Sequence, residues 1–214
     1  MWPRTKCSVA IVALLLLAPQ KLKAQEEWDY PREVFGVFAG YFQPIGAWAE
    51  HPYAQGVNWF GGGPAFKAEF EIKRRNAGVA LFGSYAKLNL STWEDYTRAH
   101  EDQVEAWAFL IHLGAAFRLY FIDRTAEALH LEIGLCYAAP SGHERFAQRA
   151  YDYDFMKSGF GFMTGMGYDH YISDRVALAL RFGGVFVPGS VEFADGRKFS
   201  LTGLSILLGL RLVN

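Results

Sequence analysis

The chain has 214 residues with 21 basic and 22 acidic side chains, a net charge of −1, and neither count forms the basic stripe that a nucleic-acid binder carries. Two cysteines, Cys7 and Cys136, are too few for a disulfide scaffold and show no zinc-type spacing. Aromatic residues at 16% and 22 glycines are both high, and no segment after the first 24 residues is a long uncharged apolar run of helical-span type.

Residues 1–24 have the parts of a secretory signal. Arg4 and Lys6 give a positive start, an apolar run from Ser8 to Ala18 includes four consecutive leucines, and a small residue, Ala24, precedes an expected cut before Gln25. The run is too short for a spanning helix, which needs roughly 20 residues. Removal of this segment takes four of the 21 basic residues and none of the 22 acidic ones, leaving 17 against 22, a net charge of −5. Cys7 leaves with it, so the expected mature domain, 25–214, holds one thiol and no internal disulfide.

Eight strand-like segments follow, at about 33–42, 58–73, 76–89, 104–120, 128–139, 157–172, 175–187 and 198–213. The links between them run long, short, long, short, long, short, long. Short ones fall at Arg74-Arg75, 121–127 and Ser173-Asp174; long ones fall at 43–57, 90–103, 140–156 and 188–197. That rhythm, with an even strand count, predicts an all-β, eight-stranded, antiparallel up-and-down transmembrane β-barrel with short periplasmic turns and longer outward loops.

Alternation assigns the faces. In the fourth segment Trp107, Phe109, Ile111, Leu113, Ala115, Phe117 and Leu119 are expected to face lipid, with Ala106, Ala108, His112, Gly114, Ala116 and Arg118 inside. In the fifth, Leu129, Leu131, Ile133, Leu135 and Tyr137 oppose His130, Glu132, Gly134 and Cys136. The sixth sets Phe160, Phe162, Thr164, Met166 and Tyr168 against a row of glycines, and the seventh puts Arg181 inside. In the last segment Leu204, Ile206, Leu208, Leu210 and Leu212 lie on one face, while the other carries Gly203, Ser205, Gly209 and finally Arg211. A water-soluble sheet would bury the leucines and show water a polar face, and this second face is too small and apolar for that. The third segment is nearly equally apolar on both faces and stays unoriented.

The inward charges form the main constellation: Lys67, Glu69, Glu71, His112, Arg118, His130, Glu132, Arg181 and Arg211. A turn at 122–125 would set Arg118 close to His130, with Glu132 and His112 further along the same face. Opposite charges in so narrow a lumen are expected to pair, because an unpaired buried ion is very costly. The network is either a structural plug or the lining of a narrow path for ions or small solutes. Two enzyme patterns are weaker. His170 with Ser173 suggests the His–Ser pair of a membrane-embedded lipid A-modifying enzyme, yet it lacks an acid in an obvious third position. His112, His130 and Glu132 have metal-ligand chemistry, yet Arg118 beside them repels a cation. No catalytic, metal or cofactor site is therefore assigned. The long links carry Trp93, Tyr96, Phe146, Tyr151, Tyr153 and Phe155, and also the acids Glu94, Asp95, Glu101 and Asp102. The aromatic residues offer either a partner-binding surface or an interfacial belt, and the acids either attract divalent cations near lipopolysaccharide or form a solvated loop.

Val34 to Phe42, then Pro44, Gly46 and Gly56, then Phe60-Gly61-Gly62-Gly63 resemble the first strand, first loop and glycine-rich second strand of small bacterial outer-membrane β-barrels of the OmpA-transmembrane-domain and OmpX type. That resemblance implies a bacterial outer-membrane location with contacts to lipid, lipopolysaccharide and the barrel-assembly machinery. It implies no single activity: members include anchors, adhesins, structural proteins and narrow channels. Members commonly end in an aromatic residue, whereas this chain ends Leu212-Val213-Asn214.

Overall fold

A computed structural model describes residues 31–46, 61–89, 103–124, 126–146, 152–154, 156–192 and 198–214. The expected signal segment and its cut between Ala24 and Gln25 lie outside these residues, as do Trp93, Tyr96, Tyr151, Phe155 and the acids of 90–102. Among the described residues, period-two alternation produces eight long strands and one short one. They are β1 Arg32–Pro44, β2 Gly63–Arg74, β3 Ala77–Leu88, β4 Gln103–Asp123, β5 Glu127–Phe146, β6 Asp152–Asp154, β7 Gly159–Ser173, β8 Val176–Glu192 and β9 Lys198–Val213.

Every pairing is antiparallel, and the order β4-β3-β2-β1-β9-β8-β7-β5 is closed by β4 pairing with β5. The three-residue β6 is attached only to the far end of β5. Eight staves therefore make a closed barrel in which each strand adjoins its neighbours in the chain and β9 returns to β1. Closure removes the free edges that an open sheet exposes. Both ends of the described chain lie at the rim that carries the short turns, where the Asn214 N–H donates to the Glu33 carbonyl over 2.9 Å.

The polarity is that of a barrel immersed in hydrocarbon. Ile133, Leu208 and Phe160 are 65%, 62% and 78% exposed on the outer wall, while Arg118, Glu71 and His130 are fully buried inside. β3 takes its orientation only from closure: Val79, Leu81 and Tyr85 face out, and Ala80, Phe82 and Ala86 face in.

Four links differ from their sequence-based limits, the first because β1 runs to Pro44 and β2 begins at Gly63 rather than at 58. β4 runs to Asp123 with a register shift between Tyr120 and Ile122, so the link 121–127 shrinks to 124–126. β5 continues through Pro140 to Phe146. Pro140 lacks an N–H, and it lies past Ala138, the last residue paired to β7, where one edge of β5 has no ladder to interrupt. β8 continues past Val187 to Glu192 across a bulge at Pro188-Gly189, with Gly189 at φ +60°. Ser190 repairs that bulge: its hydroxyl donates to the Val187 carbonyl at 3.1 Å and accepts the Leu201 N–H at 3.3 Å.

Candidate functional site in the barrel interior

Alternation on β2 sends Lys67, Glu69, Glu71 and Lys73 inward in a row. β4 adds Arg118, β5 adds Glu132, β7 adds Asp169, β8 adds Arg181 and β9 adds Arg211, all at the half of the barrel nearest the short turns. Arg118 is the hub. Its Nη1 donates to Glu69 Oε1 at 2.8 Å and Glu71 Oε2 at 2.7 Å. Its Nη2 donates to Glu69 Oε2 at 2.5 Å and Glu132 Oε2 at 2.9 Å, and its Nε reaches Glu132 Oε2 at 3.0 Å. A planar guanidinium presents five N–H groups in a fixed fork, which is why one arginine can hold three carboxylates.

Arg211 donates to Glu71 and to Asp169, and Arg181 Nη1 donates to Asp169 Oδ1 at 2.7 Å. Lys67 Nζ lies 3.3 Å from Glu69 and 3.6 Å from Glu132. Lys67, Arg118, Arg181 and Arg211 thus face Glu69, Glu71, Glu132 and Asp169, equal numbers of each sign. Below them Tyr120 Oη donates to Glu71 Oε1 at 2.6 Å, and Lys73 pairs with Asp123 at 2.6 Å while standing 3.9 Å over the Tyr120 ring.

Missing side chains make room for this cluster. A Cβ on Gly78 would come within 2.1 Å of Glu71 Oε1, and one on Gly167 within 2.4 Å of the His130 ring and 2.6 Å of Arg181 Nη1. The glycine row of β7 is therefore a recess for the charges of its neighbours.

All nine residues singled out by sequence point inward and are buried, but they do not form one set. Glu132, not His130, stands opposite Arg118; His130 stands opposite Tyr120, with ring centroids 4.8 Å apart. The turn lies further along the chain than 122–125, and a two-residue displacement changes partners without changing faces. His112 pairs in register with Ala138, and eight residues of β4 separate it from the level of His130, roughly 27 Å by strand rise. His112, His130 and Glu132 therefore cannot share a metal.

His170 and Ser173 are both exposed at the rim, and Ser173 Oγ accepts the Arg175 N–H at 3.4 Å. The neighbouring acid, Asp169, points the other way into the arginines. Sequence reasoning missed Asp169, although it continues the inward glycine series of β7. It also missed Lys73, Tyr120 and Asp123.

Among the described residues the other half of the interior is mostly apolar, with the Ser190 hydroxyl as a buried polar group. Leu88, Leu110, Val187 and Leu201 are buried there with Ala108, Ala138 and Met156. Between this apolar layer and the charges lies a cavity of about 70 Å³.

Comparison with solved structures places this architecture. The chain is similar to Neisserial surface protein A, with a TM-score of 0.57 at 11% identity over 85% of this chain and 96% of that one. The fold is that of the small outer-membrane β-barrels. A major outer membrane protein from Thermus thermophilus matches with a TM-score of 0.56 at 13% identity over 85% and 99% of the two chains. The outer membrane protein OprG from Pseudomonas aeruginosa matches with 0.55 at 11% over 86% and 95%. By sequence the chain matches no protein-family model and no curated protein.

Proposed function

We propose that this chain is an integral protein of the bacterial outer membrane, exported by its first 24 residues, and that it works without catalysis as a rigid, closed scaffold for its outward links. The observation that carries this reading is the buried, charge-balanced network centred on Arg118. Each of its carboxylates is tied to at least one arginine, and Arg118 and Arg211 are at most 1% exposed. Such a network has no spare charge to conduct an ion, and displacing any member leaves a partner buried and unpaired. The apolar layer of Leu110, Val187 and Leu201 at the opposite end gives the closed reading a second support.

On this reading the short-turn rim faces the periplasm, the wall contacts lipid and lipopolysaccharide, and the barrel-assembly machinery inserts it. The long links then meet an extracellular partner. The exposed, outward-facing His170 and the inward Asp169 disfavour a Ser–His–Asp hydrolase at the rim. Conductance in planar lipid bilayers tests the closed lumen: purified protein is expected to leave the baseline current unchanged. Steady openings by the native chain would overturn the scaffold reading in favour of a solute channel.

A further inference from the structure

The cavity between the two halves of the interior is lined by three soft donor side chains that the charge network does not use: the His112 imidazole, the Cys136 thiol and the Met163 thioether. Strand register brings them together. Gly114 opposes Cys136 while His112 opposes Ala138, so His112 and Cys136 are diagonal neighbours across β4 and β5. Cys136 opposes Gly161 while Gly134 opposes Met163, so Cys136 and Met163 are diagonal neighbours across β5 and β7. Diagonal neighbours lie about 7–8 Å apart at the backbone, within reach of long side chains. The residues directly opposite Cys136 on both sides are glycines.

His112 is 6% exposed, and its Nδ1 lies 3.2 Å from Ser84 Oγ. Its Nε2 is buried with no hydrogen-bond partner among the described residues. His112 is one of the residues that line the cavity, and a buried imidazole nitrogen left without a partner is costly. An Nδ1–H donated to Ser84 is the arrangement that leaves Nε2 as a lone-pair donor, as the outer partner of a metal-bound histidine does.

The remaining wall selects the occupant. Phe42, Phe82, Val185 and Leu207 are apolar, and the carboxylate at the wall, Glu132, is already held by Arg118 and Lys67. Lys67 and Arg181 also line the cavity and oppose any cation whose charge is not offset at the site, a dication most strongly. Among the described residues no cluster of three His, Cys, Asp or Glu offers the donor set of zinc. The geometry points to a site for a soft monovalent cation, Cu(I) or Ag(I), held by Cys136 Sγ, Met163 Sδ and His112 Nε2. Thiolate and thioether ligands select such ions. On binding, the Cys136 S–H bond breaks, its proton leaves to solvent, and the sulfur lone pair forms the metal bond. The thiolate then cancels the charge of the ion, so the balanced network beneath is undisturbed.

The test is anaerobic competition for Cu(I) against a chromophoric chelator, using full-length protein in detergent micelles with Cys7→Ser throughout. One Cu(I) per chain is expected to leave the chelator. Cys136→Ser abolishes the transfer, Met163→Leu and His112→Gln each weaken it at least tenfold, and Zn(II) is not retained. No withdrawal of Cu(I) by the native chain overturns the site, as does retention of full affinity by both Met163→Leu and His112→Gln. Heat-modifiable migration checks that each variant folds. If His112→Gln does not, copper X-ray absorption of the native protein reads the same ligands: two sulfurs and one nitrogen support the site, and sulfur alone overturns it.

Discussion

Arg118 shows how a single residue is committed once it is buried. Replacing it with Met leaves Glu69, Glu71 and Glu132 facing one another without their shared cation, and breaking a buried pair in this way costs about 3–5 kcal/mol. Arg118→Met is therefore expected to lower the urea midpoint of the folded barrel sharply. Arg124→Met, at the exposed Arg124–Glu127 pair, shifts it by no more than about 1 kcal/mol. Equal shifts for the two variants would remove the special standing of the network. Two glycines make a second contrast. A Cβ on Gly167 collides with His130 and Arg181, whereas one on Gly184 meets only Leu204 Cδ2 at 3.4 Å and a carbonyl at 3.7 Å. Gly167→Ala should destabilise the barrel and Gly184→Ala should be tolerated, as read by the same unfolding series.

At the scale of a strand, β9 carries the plainest sequence signal and the plainest test. Leu208 stands on the outer wall with Ile206 and Leu210, and a midplane arginine on a lipid-facing strand costs roughly 2–4 kcal/mol. Leu208→Arg is expected to lose that much stability in lipid vesicles; a neutral result would mean that water, not hydrocarbon, meets this face. The bulge in β8 is a subtler element. Ser190→Ala removes two buried hydrogen bonds that bridge the Pro188-Gly189 interruption, which should cost about 1–3 kcal/mol and fray the outer end of β8 in hydrogen exchange. Pro188 reads in sequence as a strand stop. Ser190, two residues later, lets the ladder resume, and that hydrogen-bond geometry is not visible in residue order.

For the whole molecule, closure through β1–β9 and β4–β5 makes the barrel one cooperative unit without free edges. The folded protein is expected to migrate differently on detergent gels before and after boiling, and identical migration would count against a closed barrel. Deleting residues 198–214 takes away the stave that pairs with both β1 and β8, and should abolish the heat-modifiable form.

The strands with a greasy face and a small or charged one, such as β4, β5, β7 and β9, were legible because side chains alternate with a period of two and the two environments differ. β3 was not, because its inner residues Ala80, Phe82 and Ala86 are as apolar as the outer ones, so hydrophobicity carries no directional information. Pairing was the other hidden quantity. Alternation is unchanged when a strand slides by two residues, so sequence alone determined that Arg118, His130 and Glu132 share the interior. Only the assembled ring decided that Arg118 meets Glu132, that His130 lies against Tyr120, and that Asp169 joins Arg181 to Arg211. Those partners are set by the bulge after Tyr120 and by the curvature that brings β2, β4, β7 and β9 across one narrow lumen.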